Sequence, residues 1–246
     1  MPCGFNGITL IKSQAMKILL ISPIRDPHKF TNKGILIPQL ALFILQGLTP
    51  DKHKVKIVEE EYMELDYEEE CDVVAISLLT SNAYRGYRIA DAFRQRGKIV
   101  LLGGIHPSLL PGEAGEHADA VVIGEAEGVW ETILEDIEKG TLKKRYHEAN
   151  PDLDRYVPKD FSGLPRKRMY NLVPLQTSRG CPYDCDFCCV SDIFGRKIKL
   201  LPVEHIVRDI RESGGRNFIF LDDNIIGHRK YARELFTALI PLKIRW

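Results

Sequence analysis

The sequence predicts an α/β protein in which a doubly wound parallel sheet is followed by a second, shorter βα series. Three observations carry this reading. Short runs rich in β-branched residues recur from Met16 to about Gly140 with helical periods between them. Most of these runs are continuously apolar rather than alternating, as strands covered on both faces should be. The pattern then restarts at Val173, after a stretch rich in proline and charge. Size agrees: 246 residues, 44% of them hydrophobic, suffice for one large domain or two modest ones with a core in each. That excludes a disordered tail and a scaffold dependent on disulfide staples. The 34 basic and 34 acidic side chains cancel, so no field of one sign gathers polyanions, and generic binding to nucleic acid or anionic membranes is disfavoured.

Residues 1–15 read as an N-terminal extension. They lack a basic head, an apolar core and a small-residue cleavage site, so no secretory signal is visible and a cytoplasmic location is expected. Lys17–Ser22 is the first strand. Gly34 to Leu48 is too short for a membrane span and contains Pro38, and it reads as a buried helix. Lys54–Val58, Asp72–Ser77, Lys98–Leu102 and Asp119–Ile123 are the next strands, and the acidic stretch Glu59–Glu70 reads as a solvated face or loop. Ala83, Tyr87, Ile89, Ala90 and Phe93 mark one helix. Trp130, Ile133, Leu134 and Ile137 mark another. Five strands, each followed by a helix, make one domain over residues 16–141, with its ligand site beyond the carboxyl ends of the strands.

Residues 142–172 show no sustained period and read as a linker, the basic run Arg166-Lys167-Arg168 being a solvated part of it rather than a phosphate contact. The second series occupies residues 173–246. It has a strand at Val173–Thr177 and a helix with Val203, Ile206, Val207 and Ile210 on one face. A strand at Asn217–Leu221 follows, then a helix marked by Ala232, Leu235, Phe236 and Leu239, and a third strand starting at Lys243–Trp246.

Six cysteines occur, at positions 3, 71, 181, 185, 188 and 189, four of them within nine residues. A disulfide framework would spread them, so the cluster points to metal or redox chemistry in a reducing compartment. Cys181, Cys185 and Cys188 have the spacing C-x3-C-x2-C directly after a strand. Three thiolates can hold three irons of a four-iron cluster and leave the fourth open. A structural zinc site would need a fourth ligand, either Cys189 or a distant histidine, and plain buried cysteines are the remaining alternative.

The segment Thr177-Ser-Arg-Gly-Cys-Pro-Tyr-Asp-Cys-Asp-Phe-Cys188 resembles the signature of the radical S-adenosylmethionine (radical SAM) superfamily. The resemblance implies that Val173 opens the first units of a partial (β/α) barrel. It implies that Cys181, Cys185 and Cys188 bind a [4Fe-4S] cluster whose open iron chelates S-adenosylmethionine, with Phe187 near the adenine. It also implies that the end of the second barrel strand contacts the methionine amino group, for which Asp222 and Asp223 are the candidates. Capping of the following helix by Asp223 or Asn224 is the competing reading. Cys189 occupies no required position and reads as a spectator.

One branch of this superfamily carries a cobalamin-binding domain of flavodoxin-like architecture ahead of the barrel. Residues 16–140 resemble it in strand–helix order and in the phrases Val74-Ala-Ile-Ser-Leu-Leu-Thr80, Gly103-Gly-Ile-His-Pro107 and Val122-Ile-Gly-Glu-Ala-Glu127. The resemblance places Ser77, Leu79, Gly103 and Gly104 around the nucleotide tail of cobalamin. A hydroxyl can bond the benzimidazole nitrogen there, and glycine leaves a slot. Asp26-Pro-His28 falls where related domains carry a cobalt-binding histidine, so His28 is a candidate ligand, although Thr31 stands where their glycine is. His106 reads as a loop residue rather than a ligand.

The implied activity is reductive cleavage of S-adenosylmethionine to a 5′-deoxyadenosyl radical, used with cobalamin to methylate or rearrange an unactivated carbon. The alternative is a non-catalytic cobalamin and iron–sulfur module for electron transfer or sensing. The resemblance suggests a lipid, tetrapyrrole, peptide or antibiotic scaffold as substrate and a reductant such as flavodoxin or ferredoxin as partner. Little more than two βα units follow Val173, so the chain is expected to be part of a longer protein with an incomplete substrate pocket.

Overall fold

A computed structural model describes residues 15–25, 37–61, 63–148, 151, 153–162 and 172–246. Cys3, His28 and Arg166-Lys167-Arg168 lie outside them. The first half is a parallel sheet of six strands, β1 (Lys17–Ser22), β2 (Lys54–Glu59), β3 (Val73–Ser77), β4 (Ile99–Gly103), β5 (Ala120–Gly124) and β6 (Arg145–Glu148), in the order β2-β1-β3-β4-β5-β6. The order reverses at β1, which puts the crevice of a doubly wound sheet beyond the carboxyl ends of β1 and β3. Helices α1 (Leu40–Leu48), α2 (Ala83–Gln95), α3 (Ile105–Leu109), α4 (Pro111–His117) and α5 (Trp130–Lys139) accompany it. Both faces of β1 are buried. Ile18 and Leu20 join the core shared with α1 and α5, whereas Leu19 and Ile21 join the one shared with α2 and α4. Two covered faces are the reason its sequence does not alternate.

Four expectations are corrected. Among the described residues no helix links β2 to β3, so not every strand is followed by one; eight acidic side chains in 59–70 leave no apolar stripe for a helix to bury. The same stretch is not wholly solvated. Glu59 and Glu60 are each 5% exposed, the first accepting from the Gln39 amide, the second from Ile24 and the Arg85 guanidinium. Of the helix read at Gly34 to Leu48, residues 34–36 lie outside the described residues and 37–39 are not helical; the helix spans Leu40–Leu48, and Pro38 biases Ile37 before it away from the helical region. Finally, the stretch read as linker supplies β6, which pairs with β5 and buries Tyr146 at the sheet edge.

The rest of that stretch is a packed strap. Phe161 meets Phe43 of α1 with ring centroids 5.1 Å apart, and a side chain at Gly47 would collide with the Pro158 carbonyl. The second half holds β7 (Leu172–Leu175), β8 (Ser178–Arg179), α6 (Val190–Phe194), β9 (Lys199–Leu200), α7 (Val203–Glu212), β10 (Asn217–Phe220) and α8 (Arg229–Leu239). β7 and β10 are parallel, and Asn217 also bridges in parallel to Arg245, where a third strand position begins. Lys159 of the strap pairs with the buried Asp209 of α7 at 2.7 Å, and Tyr156 donates to the same carboxylate at 2.9 Å. One apolar core runs from Ile18 and Trp130 to Val173, Ile206 and Leu235, so the halves share an interior.

Candidate functional site

A cavity of about 440 Å³ lies beyond the carboxyl ends of β3, β4 and β5. Its walls include Ser77, Leu79, Gly103 and Gly104, the four residues that sequence resemblance grouped around a nucleotide tail. Gly104 has φ +97°, and a Cβ there would come within 2.7 Å of the Leu78 carbonyl and 2.8 Å of its amide. The glycine is therefore required both by conformation and by the close approach of two backbones. Gly103 is different, since its nearest neighbour would be the Val122 Cβ at 3.5 Å, an ordinary contact. His106 is buried in α3, with Nδ1 against Thr80 Oγ1 and Nε2 against Glu113 Oε1, each at 3.2 Å, so both ring nitrogens are engaged away from the cavity.

The far wall comes from the second half of the chain. Gln176, Arg179, Ile193, Phe194, Leu221 and Asp223 face the same space. These residues flank the cysteine loop, which leaves β8, turns through Gly180 and runs to α6. Short antiparallel pairing of Ser178 with Leu200 and Arg179 with Lys199 closes its base. Gly180 has φ +81°, and a Cβ there would meet the Lys197 carbonyl at 2.6 Å. Cys181, Cys185, Cys188 and Cys189 are free thiols, Cys185 exposed and the others half-buried, and the Cys188 amide donates to the Cys185 carbonyl at 2.9 Å. Asn224 Nδ2 lies 3.7 Å from Cys181 Sγ. Phe187 is 92% exposed. Among the described residues no three His, Cys, Asp or Glu side chains converge on one metal ion. Cys181, Cys185 and Cys188 offer three thiols from one loop, one fewer than a closed structural zinc site takes.

The two carboxylates after β10 have different surroundings. Asp222 accepts from the Thr177 amide at 3.1 Å, the Thr177 hydroxyl at 2.7 Å and the Ser178 hydroxyl at 2.7 Å. Asp223 accepts from the Gly180 amide at 2.9 Å and lines the cavity; burial pushes its carboxyl above the usual range, the Gly180 bond opposes this and Asp222 adds to it. Neither Asp223 nor Asn224 caps the next helix. His228 does, its ring accepting from the Tyr231 amide at 3.2 Å, because four residues separate Asn224 from the start of α8.

Several wall residues were not singled out by sequence reasoning. Arg179 NH1 donates to Glu125 Oε1 at 2.9 Å, its NH2 pairs with Glu127, and its Nε donates to Gln176 Oε1 at 2.7 Å. Lys199 also pairs with Glu125. Burial alone would raise the Glu127 pKa, but the Arg179 guanidinium outweighs it and holds the carboxyl below its usual value. Gln39, ahead of α1, lies on the opposite wall with its Nε2 3.5 Å from Ser77 Oγ. The signal for Arg179, Glu125 and Glu127 was present in the two phrases quoted for other reasons. Lys199 and Gln39 left none.

Comparison with known proteins agrees with this geometry. Residues 37–134 match the B12 binding domain family. The chain is 34% identical over 223 residues to the bacteriochlorophyllide d C-8(2)-methyltransferase of Chlorobaculum tepidum, a match covering 83% of this chain and 49% of that protein. It is 32% identical over 244 residues to the C-12(1)-methyltransferase of the same organism, covering 94% and 53%. The chain thus spans about half the length of these curated relatives. Among solved structures, the radical S-adenosylmethionine methyltransferase TsrM from Kitasatospora setae, with cobalamin and a [4Fe-4S] cluster bound, superposes with a TM-score of 0.75 at 17% identity, covering 94% of this chain and 53% of that one. This likeness establishes the fold: a doubly wound sheet followed by the first units of a (β/α) barrel. No helix among the described residues is long and apolar enough to cross a membrane.

Proposed function

We propose that this chain, a member of the radical SAM superfamily with an N-terminal cobalamin-binding domain, is the cofactor-holding part of a cobalamin-dependent methyltransferase acting on carbon of a tetrapyrrole-class substrate. One observation carries the reading. The cavity bounded by Ser77, Leu79, Gly103 and Gly104 is bounded on its other side by Arg179 and Asp223, which flank the cysteine loop. Two relatives at 34% and 32% identity named as bacteriochlorophyllide methyltransferases support the substrate class.

The residues suit the groups they would hold. Gly103 and Gly104 keep one wall free of side chains, and the Ser77 hydroxyl at the end of β3 offers a polar contact for a nucleotide base. Cys181, Cys185 and Cys188 would hold a [4Fe-4S] cluster, and Phe187, being exposed, is available to stack on an adenine. Asp223 rather than Asp222 is the carboxylate for the methionine amino group, because Asp222 is occupied in holding Thr177 and Ser178. His28 would offer its imidazole to cobalt. When bound, these groups supply a one-electron cleavage of S-adenosylmethionine and a transferable methyl. The chain itself would hold and orient them.

The experiment is anaerobic reconstitution of the chain with iron, sulfide and hydroxocobalamin, then incubation with S-adenosylmethionine, a reduced flavodoxin and a bacteriochlorophyllide-type tetrapyrrole. Methylated tetrapyrrole with S-adenosylhomocysteine and 5′-deoxyadenosine supports the reading. A reconstituted protein that binds iron but neither corrinoid nor tetrapyrrole defeats it.

A further inference from the structure

A buried ion network joins the cavity wall to the cysteine loop, and its members come from both halves of the chain. Glu125 and Glu127 lie in the turn after β5, whereas Arg179 and Lys199 lie on β8 and β9. The side chains of Glu125 and Arg179 are 4% and 8% exposed. Gln176, Glu125 and Glu127 each take a different nitrogen of the Arg179 fork, which fixes the guanidinium in plane as well as in position.

Between Arg179 and Cys181 there is a single residue. Gly180 is held by its φ of +81°, by the nearness of the Lys197 carbonyl and by its amide bond to Asp223. With one anchored residue between them, the position of Arg179 bears directly on that of Cys181. Arg179, Glu125, Glu127, Gln176 and Asp223 all face the cavity, so whatever fills it lies directly against these pairs.

We propose that the Arg179–Glu125–Glu127 network is the coupling element between the two cofactor sites, with Arg179 a positioning residue through which a corrinoid in the cavity and a cluster on the cysteine loop each tighten binding of the other. This rests on the reading that both groups bind. Coupling of binding is reciprocal by thermodynamic necessity, so it can be read from one side alone.

The test titrates the full chain anaerobically with hydroxocobalamin, followed by visible absorption, in cluster-free and cluster-loaded forms. The readout is the ratio of the two dissociation constants. Wild type should bind corrinoid roughly fivefold or more tightly when the cluster is present. Arg179→Gln and Glu125→Gln should each bring the ratio to about one, and the double variant should lose nothing further, as expected for partners in one network. A merely structural role would weaken both forms alike and leave the ratio intact. Should Arg179→Gln fail to fold, Lys199→Gln, at the more exposed flank, reads the same ratio and should lower it. A wild-type ratio of about one, or variants that keep the wild-type ratio, overturns the inference alone. A wild type that binds no corrinoid in either form overturns the functional reading and this inference with it.

Discussion

Thr177 donates both its amide and its hydroxyl to Asp222, 45 positions further along the chain, at 3.1 and 2.7 Å. Ser178 adds its hydroxyl to the same carboxylate, and the Tyr231 phenol donates to the Thr177 carbonyl at 3.0 Å. The cysteine loop therefore departs from a buried corner in which every polar group of Thr177 has a partner. Hydrogen bonds to a charged acceptor contribute more than neutral ones, and removing the acceptor strands buried donors. Asp222→Ala is expected to cost about 3 kcal/mol in urea unfolding, and Asp222→Asn less, because it keeps one acceptor oxygen. A loss within experimental error for the alanine variant would show that the corner is not what anchors the loop.

Replacement of Cys181, Cys185 or Cys188 by alanine is expected to abolish iron retention after anaerobic reconstitution, while Cys189→Ala keeps about four irons per chain. Cys189 sits between Cys188 and the start of α6, and its thiol has no assigned place in the cluster. Iron and sulfide analysis of the four variants decides. Equal loss on Cys189→Ala would move the ligand set.

The two glycines at the end of β4 separate folding from binding. Gly104→Ala places a methyl against the Leu78 backbone at a positive φ and is expected to destabilise the fold by roughly 2–3 kcal/mol. Gly103→Ala meets only ordinary contacts, so it should unfold near the wild-type temperature yet bind hydroxocobalamin more weakly, because its methyl takes up room in the slot. Thermal melts and corrinoid titration of both variants measure this. Identical profiles would argue that the slot is not where the tail lies.

Glu59 gives the chain a pH dependence of its own. Burial pushes its carboxyl up to about 7 from 4.5; the Gln39 amide lowers it and Glu61 raises it further. The fold favours the protonated form, so the stability this group contributes is complete below about 4.5 and is lost as pH rises through about 7. Between pH 5 and pH 8 the loss is roughly 2–3 kcal/mol. Glu59→Gln should remove it, leaving the variant more stable than wild type at pH 8 and similar at pH 5 in urea unfolding. A wild-type to variant difference that does not change with pH would place the Glu59 pKa back in the ordinary range.

How much of this was legible in the sequence depends on where the information resides. Strand β1 and helices α2, α5, α7 and α8 were readable because burial on fixed faces imposes a period on the side chains. Strand β6, Arg145-Tyr-His-Glu148, was not: at a sheet edge only Tyr146 is buried, so no period marks it. Ser77, Leu79, Gly103 and Gly104 were grouped by resemblance to cobalamin-binding domains rather than by any period in the sequence, and the cavity has all four on its wall. The pairing of Arg179 with Glu125 across 54 positions was invisible, because charged residues in loops are solvated in most proteins, and only the meeting of the two halves buries these.

Electron paramagnetic resonance of the anaerobically reconstituted, reduced chain loaded with cobalamin tests the central claim most directly, because it reports both centres at once and is sensitive to their proximity. A corrinoid in the cavity beside a cluster on the cysteine loop requires a cob(II)alamin signal and a reduced [4Fe-4S] signal on the same chain, each broadened or split by the other. A chain that lacks either centre, or whose two signals are those of isolated species with no mutual perturbation, would contradict it.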